Sequence, residues 1–143
     1  MTVRSNKGSG GPLPLAMTDA PNAKTALVVE DEMLFRLEVR DLLEAEGYAV
    51  VEAGNVGQAL ERLGDEVMLV VTDVRMPGQM DGLALAREVT RHRPDVAVVV
   101  VSAQVTPRPG ELPDHVPFVE RPFLEIRLRD AVNRAVAART VPR

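Results

Sequence analysis

At 143 residues, with a formal net charge of -4 and no cysteine, the chain suits one domain standing on its own apolar core, without disulfides or a thiolate metal centre. Its fifteen arginines and two lysines are dispersed among acids, which argues against a phosphate-binding stripe and so against direct DNA binding. The longest apolar runs, such as Val96 to Val101, are far too short to cross a bilayer, and the N-terminus lacks a secretory apolar core. No membrane partner and a cytoplasmic location are therefore expected.

Residues 1–23 are rich in Gly, Pro, Ser and Asn without apolar periodicity and read as a disordered tail. Gly8 to Gly11 is a spacer and no phosphate loop, because no strand precedes it and no Gly-Lys-Ser/Thr follows. Met17 is an alternative start of translation. The folded unit is expected over 24–140, with 141–143 as a short tail. Within it, β-branched apolar runs alternate with amphipathic stretches, the pattern of a parallel α/β sheet with helices on both faces. Strands are predicted at Ala26 to Val29, Ala49 to Glu52, Met68 to Thr72, Ala97 to Val101 and Pro117 to Val119. Helices are predicted at Met33 to Glu46, Val56 to Leu63, Gly82 to Arg91 and Leu124 to Ala138. Leu34, Leu37, Val39, Leu42 and Leu43 form the buried stripe of the first helix, and Leu124, Leu128, Val132 and Val136 that of the last. The fourth crossover, Ala103 to Val116, holds Pro107, Pro109 and Pro113. A proline inside a helix costs roughly 3 kcal/mol, so a fourth helix is expected to be short or missing.

In an open parallel sheet, ligands gather at the carboxyl ends of the strands, where strand order reverses. The first strand ends in Glu30-Asp31, the third in Asp73, the fourth in Ser102 and the fifth in Glu120-Arg121-Pro122. Crowded carboxylates repel unless a cation neutralises them, and an all-oxygen set suits Mg2+ better than zinc or copper. Such an ion can bridge a carboxylate and an incoming phosphoryl oxygen, which leaves a second carboxylate as nucleophile for an aspartyl phosphate.

The segments Val28-Val29-Glu30-Asp31-Glu32, Thr72-Asp73-Val74-Arg75-Met76-Pro77-Gly78 with Asp81-Gly82, Val101-Ser102-Ala103 and Arg121-Pro122-Phe123 stand in this order. In them the chain resembles the receiver domain of two-component response regulators, over about Thr25 to Ala138. The resemblance implies a flavodoxin-like, doubly wound sheet of strand order 2-1-3-4-5. It implies that Asp73 accepts a phosphoryl group, and that Glu30, Asp31, Asp73 and the backbone carbonyl of Arg75 hold Mg2+. Ser102 would bind a phosphoryl oxygen, Phe118 would be an aromatic switch, and Arg121 would sit at the phosphoryl-binding position, joined to Pro122 by a cis bond. That position normally carries lysine. Arginine keeps the charge, but its planar fork is bulkier. The implied donor is a sensor histidine kinase or a histidine phosphotransfer protein.

Plainer roles stand beside these. Asp31 could cap the first helix, Asp73 could belong to a turn, and Ser102 could bond only a loop. Arg121 could be a surface residue paired with Glu120 or Glu125, Phe118 could be core packing, and His92 and His115 read as exposed.

Three functional classes follow. The leading one is a phosphorylation-controlled signalling module, not a turnover enzyme, acting through an unidentified downstream protein because the chain stops soon after the last helix. The second is a docking module of the same fold with an impaired site, suggested by Arg121 and the proline-rich fourth crossover. The third is a phosphatase of the haloacid dehalogenase type, whose second acid is replaced here by Arg75. Nucleotide or flavin binding lacks a glycine-rich loop after Val29.

Overall fold

The structure is a computed structural model that describes residues 24–75, 81–103, 106–122 and 125–140. Both expected tails, Met76-Pro77-Gly78, Phe123 and Leu124 lie outside the described residues. In chain order the elements are β1 (Lys24–Val29), α1 (Met33–Ala45), β2 (Tyr48–Ala53), α2 (Val56–Arg62), β3 (Val67–Asp73), α3 (Gly82–His92), β4 (Ala97–Ser102), β5 (Phe118–Glu120) and α4 (Glu125–Ala138). The five strands form one parallel sheet in the order β2-β1-β3-β4-β5.

Alternation along each strand splits the core into two layers. Leu27, Val29, Val70, Val98 and Val100 pack with α2 and α3 residues such as Ala59, Leu85 and Val89. Ala26, Val28, Leu69, Val71, Val99 and Val101 pack on the other face with Val39 and Leu43 of α1 and with Leu128 and Val132 of α4. Covering both faces explains why the central strands read as unbroken apolar runs.

The first helix corrects one expectation. Leu34 is 73% exposed, because the first turn of α1 starts at the carboxyl edge, where no sheet lies beneath it. Only further along do Val39 and Leu43 become buried. Lys24 opens β1, two residues before the predicted start of that strand; its ammonium donates to the Glu46 carbonyl at 3.1 Å and lies 4.5 Å from the Tyr48 ring centre, at the far edge of the sheet from Asp73.

Between β4 and β5, no helix occurs among the described residues. Residues 106–117 are held by turns, in which Glu111 donates to the Arg108 carbonyl and Val116 to that of Pro113, both at 3.0 Å. Arg87 of α3 ties this segment down through the Glu111 carbonyl. Val116, Leu112 and Phe118 fill the space against the core. Proline removes donors and excludes helical backbone, so apolar side chains from a loop do the covering.

Candidate functional site

Strand register decides what meets at the carboxyl edge. Val29 lies opposite Thr72, Asp73 opposite Val101, and Ser102 opposite Glu120. The residues that end or follow these strands therefore share one cavity of about 270 Å³, lined by Glu30, Asp31, Glu32, Phe35, Asp73, Arg75, Ser102, Ala103 and Arg121. Glu30, Asp73, Ser102 and Arg121 are buried, while Asp31 is exposed.

Local hydrogen bonds set the acids in place. Glu32, not Asp31, caps α1, with Oε1 accepting from the amides of Leu34 (3.0 Å) and Phe35 (3.2 Å). This sets aside the capping role considered for Asp31. Glu30 Oε2 accepts from the Glu32 amide at 3.0 Å. Asp73 ends β3, and its Oδ1 accepts from the Arg75 amide at 3.3 Å. From the other side, α3 presses on Asp73. Asp81 caps this helix, and the Gly82 amide donates to the Val74 carbonyl at 2.8 Å. A Cβ on Gly82 would run into the Asp73 carbonyl oxygen, so the approach admits only glycine.

Arg121 follows β5, its amide donating to the Ser102 carbonyl at 2.8 Å. The bond to Pro122 is cis. The arginine side chain is only 7% exposed, which excludes the surface placement beside Glu120 or Glu125. Its Nη2 donates to Asp73 Oδ2 at 2.7 Å, and Nη1 is 3.2 Å from Glu30 Oε1. The guanidinium carbon sits 3.7 Å from the centre of the Phe35 ring. Sequence reading missed Phe35; the available signal was an aromatic one helical turn past Asp31, on a helix that starts at the cavity.

Two buried acids thus share one buried cation. Burial, and then the hydrogen bond shared with Asp73, push the Glu30 carboxyl up to about 8. One carboxylate oxygen each from Glu30, Asp31 and Asp73 lie within 4.8 Å of one another. Under-neutralised, hard oxygen donors with one exposed member fit Mg2+, which keeps part of its water shell.

Ser102 lines this cavity, 1% exposed. Phe118 does not: it is half-buried against the core and lines a separate cavity with Thr106, Arg127, Asp130 and Arg134. His92 is exposed and pairs with Glu88 at 2.9 Å. No described helix is long and apolar enough to cross a membrane.

A family profile described as the response regulator receiver domain matches residues 26–111. The receiver protein CpdR of Brucella abortus is 36% identical over 114 residues, covering 77% of this chain and 92% of CpdR. The sensor kinase CckA of the same organism is 43% identical over 88 residues, 59% of this chain. The chain spans only 9% of CckA, and 25% of the regulator DctD of Rhizobium meliloti. Among solved structures, a receiver protein from Sinorhizobium medicae superposes with a TM-score of 0.72 at 27% identity, covering 83% of this chain and 98% of the other. TrrA of Thermotoga maritima, solved in complex with Mg2+-BeF, gives 0.68 at 29% identity and covers 78% and 98%.

Proposed function

The chain belongs to the response-regulator receiver domains, and on that premise we propose that it is a phosphoacceptor module whose acceptor is Asp73. The observation that carries this reading is the buried Asp73 at a strand end, flanked by two further carboxylates and held by a buried guanidinium. Glu30, Asp31 and Asp73, with the Arg75 carbonyl, would hold Mg2+, which when bound supplies charge neutralisation for the acids and the incoming group. An Asp73 carboxylate oxygen attacks the phosphorus of a phosphohistidine. The oxygen–phosphorus bond forms as the phosphorus–nitrogen bond breaks, and the freed imidazole takes up a proton. Arg121 and the Ser102 hydroxyl donate to phosphoryl oxygens. Water then cleaves the aspartyl phosphate to phosphate and the original carboxylate, so the cycle is signalling and not metabolic turnover.

The donor is a sensor histidine kinase or a histidine phosphotransfer protein, and the output passes to a protein partner. Among the described residues no helix lies between β4 and β5, so helical surface beside β5 is reduced, which favours an output other than a helix-mediated dimer of that face. Phe118 would serve as the aromatic switch from its half-buried place in the neighbouring cavity.

Incubation with acetyl phosphate and magnesium, read by intact mass, tests this directly. One phosphoryl group should be gained, and Asp73→Asn should gain none while keeping its fold. A full mass gain in that variant would move the acceptor elsewhere. No gain in the unaltered chain would favour a docking module with an impaired site, the reading that Arg121 in place of lysine keeps open.

A further inference from the structure

The guanidinium of Arg121 is held by fewer directional bonds than its burial demands. Only Nη2 makes a hydrogen bond; Nε and Nη1 are buried with none among the described residues. The Nη1 contact with Glu30 is an ion pair at 3.2 Å without that geometry. A single bond lets a planar cation turn about it. Against the guanidinium lies the Phe35 ring, its centre 3.7 Å from the guanidinium carbon. That ring belongs to the first turn of α1, where its own amide is bonded to Glu32, and the Glu32 amide is bonded to Glu30. Glu30, Glu32, Phe35, Arg121 and Asp73 thus form a closed circuit around the cavity.

We propose that Phe35 is a positioning residue, whose ring stacks on Arg121 and holds its guanidinium in the plane that reaches Asp73 and Glu30. A flat, delocalised cation suits this surface, whereas a compact ammonium has no plane to align. The clamp leaves the two unbonded nitrogens as donors for further acceptor oxygens. Its consequence for phosphorylation rests on the function proposed above; the clamp itself does not.

The test uses the full chain with isotope-labelled arginine, the Arg121 signals being assigned by their loss in Arg121→Lys. Without phosphodonor or metal, the two Nη resonances of Arg121 should be separate in the unaltered chain and in Phe35→Tyr. They should merge through fast rotation in Phe35→Leu, a change that folding alone does not produce. With acetyl phosphate and magnesium, Phe35→Leu should slow phosphorylation about tenfold and Phe35→Tyr less than about twofold. In the Arg121→Lys background, Phe35→Leu should change the rate less than about twofold. Separate Nη signals persisting in Phe35→Leu would overturn the clamp, as would an equal loss of rate in both backgrounds. If the unaltered chain takes no phosphate, the proposed function fails, and the resonances alone decide the clamp.

Discussion

Two arginine–carboxylate clusters lie close together and behave in opposite ways. At the end of β2, Glu52 receives Arg40 at 2.8 Å and Arg36 at 2.9 Å, all three side chains partly exposed. The Arg40 and then the Arg36 guanidinium hold its carboxyl below the usual range. At the strand ends of β1 and β3, Glu30 and Asp73 share the single buried Arg121, and the Glu30 carboxyl rises to about 8. Arg36 touches both clusters, since its Nη1 also donates to the Glu30 carbonyl at 2.9 Å. The residue types are the same; burial and the ratio of acids to cations decide the sign. A cluster with surplus cation in water stabilises a fold modestly. One with surplus acid out of water is poised for another cation.

The largest contrast is expected from removing the buried cation. Arg121→Ala should cost about 3 kcal/mol in chelator, because it leaves buried acids without a partner. Magnesium should restore much of that loss by neutralising them. Urea denaturation with and without magnesium checks both, and a variant as stable as the parent in chelator would break the comparison.

A smaller effect tests how tightly the acid side is built. Gly82→Ala should cost about 2 kcal/mol, since the new Cβ must displace backbone at Asp73. Phosphorylation should slow by more than the loss of folded protein explains. Equal stability with unchanged rate would show that α3 can retreat from Asp73 freely.

The smallest effect belongs to the outer cluster, where Glu52→Gln should cost no more than about 1 kcal/mol at pH 7. The folded Glu52 carboxyl titrates below its ordinary value of 4.5. Its stabilisation is therefore present above that value and lost as pH falls through the lower folded one. The gap between parent and variant should accordingly close on acidification. A gap that widens toward low pH would reverse the sign assigned here.

Much of this protein was legible in one dimension. The β-branched runs marked the sheet, because strands covered on both faces must be apolar throughout, and the acids at their ends marked the cavity. Pro107, Pro109 and Pro113 marked a fourth helix that would be short or missing, since proline's missing donor and ring clash do not depend on what lies nearby. The strand order followed from the resemblance carried by the motifs. Other features depended on distant parts of the chain. Leu34 fits the apolar stripe of α1, but whether a helical stripe is buried depends on where the sheet beneath it ends. Asp31 was the cap that residue type favours for α1, yet Glu32 caps it, and the hydrogen bond that Glu30 accepts from the Glu32 amide accompanies that outcome. Arg121 read as surface or site with equal justice, because its burial comes from Phe35, Asp73 and Glu30, which three different elements bring to the end of β5. Sequence by itself determined the elements and the chemical groups at their ends, which follow from local sterics and periodicity. Only the tertiary structure decided which charges share a buried space, because desolvation and pairing arise from neighbours that no local pattern records.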